Sequence, residues 1–234
     1  TSHLFLSTEY DETPFALQYE DERLLLDNSY KILEGDYDTL AALSRMTLLN
    51  GIAAIIIGST HAGSMGEHLI SHYIDMFMGE KHPGTLHGEQ VAVTTLLLSK
   101  IQNQIINFSD TLVFKKLNIT DNNFRELFGD KIFTQMYEQF KKKYFDGERL
   151  DNLNNLLEKK WPEQKAILKK HLLPTESIEK ALKNCGAPTN NVELRIPNNF
   201  YNLAIKNSFL LRDRFSYLDV AHYTNTLSDY FIKD

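Results

Sequence analysis

Apolar residues recur every three or four positions along most of the chain, and strict apolar–polar alternation is rare. This spacing predicts helices over residues 21–33, 37–58, 86–108 and 124–128. Aromatic residues recur at the same spacing through 133–145, which predicts a buried stripe. Prolines at 162, 174 and 197 predict three further helix starts, and Thr175 or Ser177 is the expected cap of the second. The pattern therefore predicts an all-α fold, a helical bundle.

The longest apolar run, residues 51–58, is far shorter than the roughly 20 residues that a membrane span needs. It therefore predicts a buried helix segment and no membrane span. A chain of 234 residues with 42% hydrophobic residues can bury one sizeable core. We expect a single helical domain over residues 1–234.

Charge and cysteine content narrow the function classes. A net charge of −6 argues against nucleic acid or an anionic membrane as a general partner, because such partners need a surplus of Lys and Arg. The lysine clusters at 141–143 and 159–160 lie beside acidic residues and predict a solvated face. A single cysteine, Cys185, excludes an intramolecular disulfide and is typical of a reducing cytoplasm.

Histidines are concentrated in one stretch, since five of the eight lie between residues 61 and 87. His68 and His72 are one helical turn apart, and His87 begins the next apolar run after a turn at 81–85. Two helices joined by this turn can bring His68 and His87 to one point. Clustered imidazoles favour metal binding or proton transfer. A helical metal-dependent hydrolase and a non-catalytic interaction module remain alternatives. The chain has no His-Asp dipeptide, which such a hydrolase usually uses for metal binding.

The two histidine segments, Gly66 to His72 and Leu86 to Val91, resemble the metal-ligand segments of the sn-glycerol-1-phosphate dehydrogenases, in the dehydroquinate synthase-like superfamily. Their separation, 87 − 68 = 19 residues, fits that family. Cys185-Gly186-Ala187-Pro188 is similar to its Gly-Ala-Pro motif, and Arg212-Asp213-Arg214 to its closing Arg-Asp-Arg helix. The resemblance implies the helical C-terminal domain of such an enzyme.

Residue roles follow from the resemblance. It implies that His68 and His87 ligate a divalent metal, usually zinc, and that His72 acts near the proton path. It places His61 and Ser64 in a substrate-binding loop. Relatives usually read Gly-Ser-Ser-Arg-Pro-Ala-Ser-Gly there, so this chain lacks the loop arginine. The intact enzyme is implied to transfer hydride between NAD(P)H and dihydroxyacetone phosphate, a small phosphorylated substrate.

Cofactor binding is expected to need more than this sequence. The family's glycine-rich strand-to-helix turn, which carries the nucleotide, has no counterpart here. A third metal ligand is expected from a segment before Thr1. We therefore expect the N-terminal nucleotide-binding domain to be absent, the chain alone to be inactive, and no cofactor to be tightly bound. Association into a homo-oligomer is a further expectation.

Overall fold

The computed structural model describes residues 2–233, and these residues contain helices and connecting loops but no β-strand. The predicted all-α class is confirmed. The α-helices are α1 (Ser2–Leu6), α2 (Thr13–Asn28), α3 (Tyr37–Ile56), α4 (Gly66–Phe77), α5 (His87–Phe108), α6 (Asp121–Phe128), α7 (Phe133–Lys141), α8 (Gly147–Lys170), α9 (Thr175–Asn184), α10 (Asn198–Asn207) and α11 (Tyr217–Tyr223).

Helices α4 and α5 form an antiparallel pair in the middle of the bundle, with α10 against α4 and α11 against α5. Leu69, Ile70, Tyr73 and Ile74 are buried on α4. Their spacing of one, four and five residues puts them on one face, which packs into the core. The opposite edge of α4, which carries the histidines, is left at the surface of the bundle.

Aromatic side chains fill the core beneath this pair. Phe114 and Tyr223 stack with ring centroids 5.1 Å apart, and Phe145 and Phe215 close the cluster edge-on. Such tilted and stacked contacts suit the charge distribution of aromatic rings. The buried aromatic stripe predicted through residues 133–145 is confirmed at Phe140 and Phe145.

A charged pair lies inside this core, so the solvated face predicted for residues 141–143 is wrong at Lys143. The Lys143 ammonium contacts the Asp219 carboxylate at 2.5 Å, and both side chains are at most 1% exposed. Lys143 also donates to the backbone carbonyl of Arg214, while Asp219 accepts from the backbone N–H of Ser216. Burial lowers the pKa of Lys143 and raises that of Asp219, and each partner's opposite charge offsets part of that shift. The pair therefore fixes the segment between residues 214 and 219.

The prediction that residues 51–58 are buried is wrong. Ile52, Ile55 and Ile56 are exposed, and of this run only Ala53 is fully buried. The reason is that α3 forms a hairpin with α2 and packs on little else. Among the described residues, α3 alone is long and apolar enough to cross a membrane by length and composition. Such a helix equally fits an interface between proteins.

Two predicted helix starts are also wrong. Helix α2 begins at Thr13 rather than residue 21, because Pro14 occupies its first turn, where a missing N–H costs nothing. Pro162 does not open a helix but lies inside α8. Trp161 beside it is buried, and its indole N–H donates to the Ser109 carbonyl at 2.9 Å. Packing of Trp161 holds the helix on both sides of the proline.

The first prediction concerns the buried ion pair. Replacing Lys143→Met leaves Asp219 buried without its counter-charge, so we expect the free energy of unfolding to fall by about 3–5 kcal/mol. Urea denaturation followed by circular dichroism measures it. Lys142→Met removes a neighbouring lysine whose partner, Asp213, is at the surface, and we expect a loss of less than about 1 kcal/mol. Equal losses for the two variants would contradict the structural role of Lys143.

The second prediction concerns pH. His222 stacks on Phe209 at 3.6 Å, and its Nε2 atom has no hydrogen-bond partner. Burial, aided by the charge of Lys143, lowers its pKa to about 3. The unfolded chain therefore binds this proton first, and stability is lost as pH falls from about 6.5 toward 3. We expect His222→Phe to show a shallower loss in urea titrations across this range; parallel curves would contradict it.

Candidate metal centre

The histidine cluster is built by one face of α4 and the first residue of α5. His68, His72 and Asp75 follow each other on α4 at spacings of four and three residues, so their side chains lie on one side of the helix. The ring of His87 lies 5.2 Å from that of His68 and 5.2 Å from that of His72, measured between centroids. The structure thus brings together all three histidines that the sequence analysis assigned to the site.

Close backbone packing sets the position of α4. A Cβ atom on Gly66, the first residue of α4, would lie 2.8 Å from the Ser216 hydroxyl and 3.1 Å from Leu98. Only glycine lets the start of α4 approach the segment held by the Lys143–Asp219 pair. At the start of α5, the Glu89 carboxylate accepts from the Leu86 N–H at 2.7 Å. That cap fixes the helix start on which His87 stands.

Hydrogen bonds determine which nitrogen of His87 is free. The Gln90 amide donates to Asp75, so its oxygen is the acceptor for the Ser71 hydroxyl at 2.7 Å. Because that bond uses the only Ser71 hydroxyl proton, the 2.8 Å contact between Ser71 and His87 Nδ1 requires Nδ1 to donate. The tautomer assigned from this network leaves the His87 Nε2 lone pair unused.

His68 is oriented in the same way. Its Nδ1 lies 3.0 Å from the Glu67 carboxylate, which can only accept, so Nδ1 donates and Nε2 keeps its lone pair. Burial raises the pKa of Glu67, but the hydrogen bonds from His68 and the Met65 N–H lower it by more. The pKa of Glu67 therefore lies below its usual value. A carboxylate that holds the far nitrogen of an imidazole is typical of metal-ligating histidines.

Asp75 is the site residue that the sequence analysis missed. One donor atom each from His72, Asp75 and His87 lies within 4.8 Å of the others. Asp75 Oδ1 accepts from Gln90 at 2.9 Å and from His82 Nε2 at 3.1 Å, and its Oδ2 lies 3.6 Å from His87 Nδ1, the nitrogen that donates to Ser71. Its position seven residues after His68 was a usable signal, since it repeats the helical face. The carboxylate thus lies on the Nδ1 side of His87, where it helps to hold the ring, and it is a candidate donor beside His72.

These donors fit a divalent ion of the zinc type. Zinc takes imidazole nitrogen and carboxylate oxygen, commonly three protein ligands in sites that leave a position open. His68, His72, His87 and Asp75 supply one carboxylate and three imidazoles, and the carboxylate offsets part of the ion's charge. The ligands expected from sequence were His68 and His87; the structure groups His87 with donor atoms of His72 and Asp75, and His68 lies outside that group of three.

His72 differs from its neighbours in its electrostatic surroundings. It is half-buried, and burial together with the charges of His87 and Arg212 lowers its pKa below the ordinary imidazole value. The ring centroids of His68 and His72 are 6.2 Å apart. A neutral imidazole with an arginine close by can exchange a proton with a bound anion or hydroxyl group, as proton transfer requires.

Arg214 holds the loop between α3 and α4. Its guanidinium donates to the backbone carbonyl and hydroxyl of Ser64 and, at 2.6 Å, to the hydroxyl of Thr60. His61 lies in the same loop, where burial and the charge of Arg214 lower its pKa. Both residues assigned to substrate binding, His61 and Ser64, thus lie beside one arginine. Arg214 therefore lies near His61, the loop position where relatives usually carry an arginine.

A separate cleft lies behind the start of α5. It has a volume of about 640 Å³ and is lined on one side by residues 84–86 and on the other by residues between 183 and 195. None of the histidines of the cluster lines it. The donor atoms of the cluster instead open toward the surface of the bundle, between α4 and α5.

Comparison with known proteins gives the relationship. No protein-family model matches the chain. The glycerol-1-phosphate dehydrogenase of Haloquadratum walsbyi is 32% identical over 96 residues, covering 41% of this chain and 27% of the relative. That of Natronomonas pharaonis is 33% identical over 96 residues, covering 41% and 26%. That of Caldivirga maquilingensis is 24% identical over 185 residues, covering 79% and 47%.

The chain is similar to the glycerol-1-phosphate dehydrogenases. The resemblance found in the histidine motifs is therefore confirmed. The matched stretches span about a quarter of the first two relatives and about half of the third. All three relatives are named as acting with NAD(P)+. Similarity over these parts relates the helical bundle, and its histidine cluster, to dehydrogenases.

The third prediction tests the donor set. We expect the chain to bind Co²⁺ with the visible absorption of a tetrahedral site, His87→Ala to weaken that binding by more than about 100-fold, and Asp75→Asn to weaken it by about 10–100-fold. Loss of an outer partner alone costs about 10–100-fold, and a direct ligand should cost more. His171→Ala, which alters an exposed histidine outside the cluster, is the control. Unchanged Co²⁺ affinity in His87→Ala would remove His87 from the ligands.

Proposed function

We propose that this chain is the metal- and substrate-binding domain of an NAD(P)-linked dehydrogenase that interconverts dihydroxyacetone phosphate and glycerol-1-phosphate. The observation that carries the proposal is the pair of oriented imidazoles. His68 and His87 each donate from Nδ1 to a fixed acceptor and keep Nε2 free, 5.2 Å apart between ring centroids. The similarity to glycerol-1-phosphate dehydrogenases supports the substrate class.

A divalent metal bound here supplies a Lewis acid that polarises the substrate carbonyl and stabilises negative charge on its oxygen. His68 and His87 would hold it through Nε2, and Asp75, which faces Nδ1 of His87, would support that ring and offset part of the ion's charge. Ser71 and Gln90 keep His87 in the required tautomer, and Glu67 does the same for His68. The histidine ligands are therefore oriented before any ion arrives, which reduces the cost of binding it.

The remaining residues have proposed roles around the substrate. His72 lies beside His87 and is placed to carry the proton that the substrate oxygen gains or loses. His61 and Ser64 line the loop fixed by Arg214, whose positive charge favours a phosphate group at that end. Arg214 takes the place, in our proposal, of the loop arginine that relatives carry.

The hydride donor is held elsewhere in this proposal. Dinucleotides bind where a strand turns into a helix through a glycine-rich segment, and the described residues contain no strand. We therefore propose that a nucleotide-binding domain works together with this one, and that residues 1–234 form one helical domain. We also propose a cytoplasmic location, which fits a chain with a single cysteine.

The fourth prediction separates substrate binding from catalysis. We expect the chain loaded with one equivalent of Zn²⁺ to bind dihydroxyacetone phosphate in isothermal titration calorimetry, and His87→Ala to lose this binding together with the metal. Unphosphorylated dihydroxyacetone, the matched control, should bind at least about 10-fold more weakly because it lacks the charged group. No binding by the zinc-loaded chain would contradict the proposed function.

The same preparation tests the division of labour. We expect no quenching or enhancement of NADH fluorescence and no NADH oxidation when dihydroxyacetone phosphate is added, because the nucleotide cradle is not among the described residues. Oxidation of NADH above a protein-free blank would show that this chain alone completes the reaction. That result would overturn the two-domain part of the proposal and leave the metal site intact.

A further inference from the structure

The cleft behind the start of α5 carries opposite charges on its two walls. Glu89 lies on the wall that the start of α5 forms. Facing it are Lys183, Glu193 and Arg195, which together carry one net positive charge. Among the described residues, no ion pair joins Glu89 to that wall; its carboxylate instead accepts from the Leu86 N–H at 2.7 Å. Opposite charges therefore face each other across the cleft without an ion pair between them.

Arg195 is the charged group of the facing wall that has no partner within the chain. Lys183 contacts the Glu179 carboxylate at 2.5 Å, and Glu193 accepts from the Thr189 N–H at 2.7 Å. In the part of the chain that the structure describes, the Arg195 guanidinium makes no hydrogen bond and no ion pair. A guanidinium carries five N–H donors in a planar fork, which suits a carboxylate or a phosphate group. The cleft therefore offers an unused position for an anionic group.

The backbone holds Arg195 in a conformation that normally belongs to glycine. Its φ angle is +58°, in the left-handed region. The Arg195 N–H donates to the Val192 carbonyl and the Ile196 N–H to the Asn191 carbonyl, both at 2.9 Å. This pair of bonds ends a helical turn, and the residue at the position of Arg195 is usually glycine. The same two bonds end α9, and there the position is indeed occupied by Gly186. Because an arginine in this region costs free energy that glycine avoids, the turn alone does not explain the arginine.

The turn that carries Arg195 is anchored in the core. Leu194 and Ile196, the residues on either side, are 1% and 2% exposed. The side-chain amide of Asn191, which is also buried, donates to the Ile196 carbonyl at 2.8 Å. Since both neighbours are fixed, the backbone at Arg195 is fixed beside the cleft as well. A binding group on a rigid backbone loses less freedom when a ligand binds, which favours affinity.

We propose that this cleft binds a small zwitterion, with its anionic group on Arg195 and its ammonium group on Glu89. The net charges of the two walls cancel, so a ligand of a single sign meets repulsion from one wall. A molecule that carries both signs pairs with each wall and leaves no charge unpaired. The lining also includes the apolar residues Ala187, Pro188 and Leu194, which suit a short aliphatic linker. The ligand class is therefore an aliphatic chain with an ammonium group at one end and a carboxylate or phosphate at the other.

The cleft is separate from the histidine cluster, although the two share a turn. Gly84 and Thr85 line the cleft. The Gly84 N–H donates to His82 Nδ1 at 3.1 Å, and the Thr85 hydroxyl accepts from the Gln90 amide at 3.2 Å. No residue of the cleft binds the zwitterion through a metal. This inference therefore does not depend on the proposed enzymatic function.

Nuclear magnetic resonance titration of the isotope-labelled chain tests the site. The probes are ω-amino acids of increasing length, from β-alanine to aminohexanoate, because the length that binds best measures the span between the two charged groups. We expect the best of them to bind with a dissociation constant on the order of millimolar, as suits so small a ligand. It should move the backbone amide signals of Gly84, Thr85 and Arg195. Hexanoate and hexylamine, which each lack one charge, should bind at least about 10-fold more weakly.

A second series identifies the anionic group. Aminoalkyl phosphates of matched length replace the carboxylate by a phosphate and keep the ammonium group. Tighter binding of this series assigns the Arg195 position to a phosphate, and tighter binding of the ω-amino acids assigns it to a carboxylate. Either result supports a zwitterion site.

Two variants test the proposed contacts without disturbing the fold. Arg195→Gly removes the guanidinium and should weaken binding at least about 10-fold. Its melting temperature should not fall, because glycine suits the φ angle at this position. Asn225→Gly is the matched control, since Asn225 is also exposed and has a φ angle of +59° but does not line the cleft. Glu89→Gln removes the negative charge yet keeps an acceptor for the Leu86 N–H, and it should also weaken binding at least about 10-fold.

Four results would overturn the proposal. One is that no zwitterion of either series binds at tens of millimolar. Another is that hexanoate binds as tightly as the zwitterions, which would indicate a plain anion site. The third is an Arg195→Gly variant that binds as well as the Asn225→Gly control. The fourth comes from His68→Ala, which we expect to bind the zwitterion like the native chain; loss of binding there would place the ligand at the histidine cluster instead.

Discussion

The contact between Lys143 and Asp219 is the constraint on which the site depends. Burying two charges costs several kcal/mol, which only close contact and further hydrogen bonds offset. Here those further bonds go to the backbone at Arg214 and Ser216. The pair therefore does more than join the turn after α7 to α11. It fixes a segment whose two ends reach the histidine cluster, through Ser216 against Gly66 and through Arg214 into the 60–64 loop.

A second set of hydrogen bonds turns clustered histidines into oriented donors. Gln90 is fully buried and would be costly if left unpaired, yet its amide donates to Asp75 and accepts from Ser71. The Ser71 hydroxyl donates to Gln90, so His87 Nδ1 must donate to Ser71, and His87 Nε2 is left without a proton. The imidazoles therefore lie close together because α4 and α5 pack against each other. The orientation of the donors thus depends on the packing of the core.

The sequence predicted what is local and missed what is long-range. Helical spacing was enough to place His68 and His72 on one face and would have found Asp75, which continues that face. The sequence pointed to Arg214 through the Arg-Asp-Arg motif, but it could not show that this side chain reaches the loop at Ser64, 150 residues away. The prediction that residues 51–58 are buried was wrong, because an apolar run does not tell whether the rest of the same chain covers the helix. The start of α2 was missed because the polar residues around Pro14 hide its first turn.

The exposed helix α3 and the histidine cluster are connected through one short loop. Helix α3 ends at Ile56, and four residues later Thr60 is bound by Arg214 at the edge of the cluster. Residues 58–64 contain two glycines and few buried side chains, so their position depends on Arg214 at one end and on α3 at the other. Because His61 and Ser64 lie on that loop, the packing of α3 on α2 and the hydrogen bonds of Arg214 together determine where these two side chains lie beside the histidine cluster.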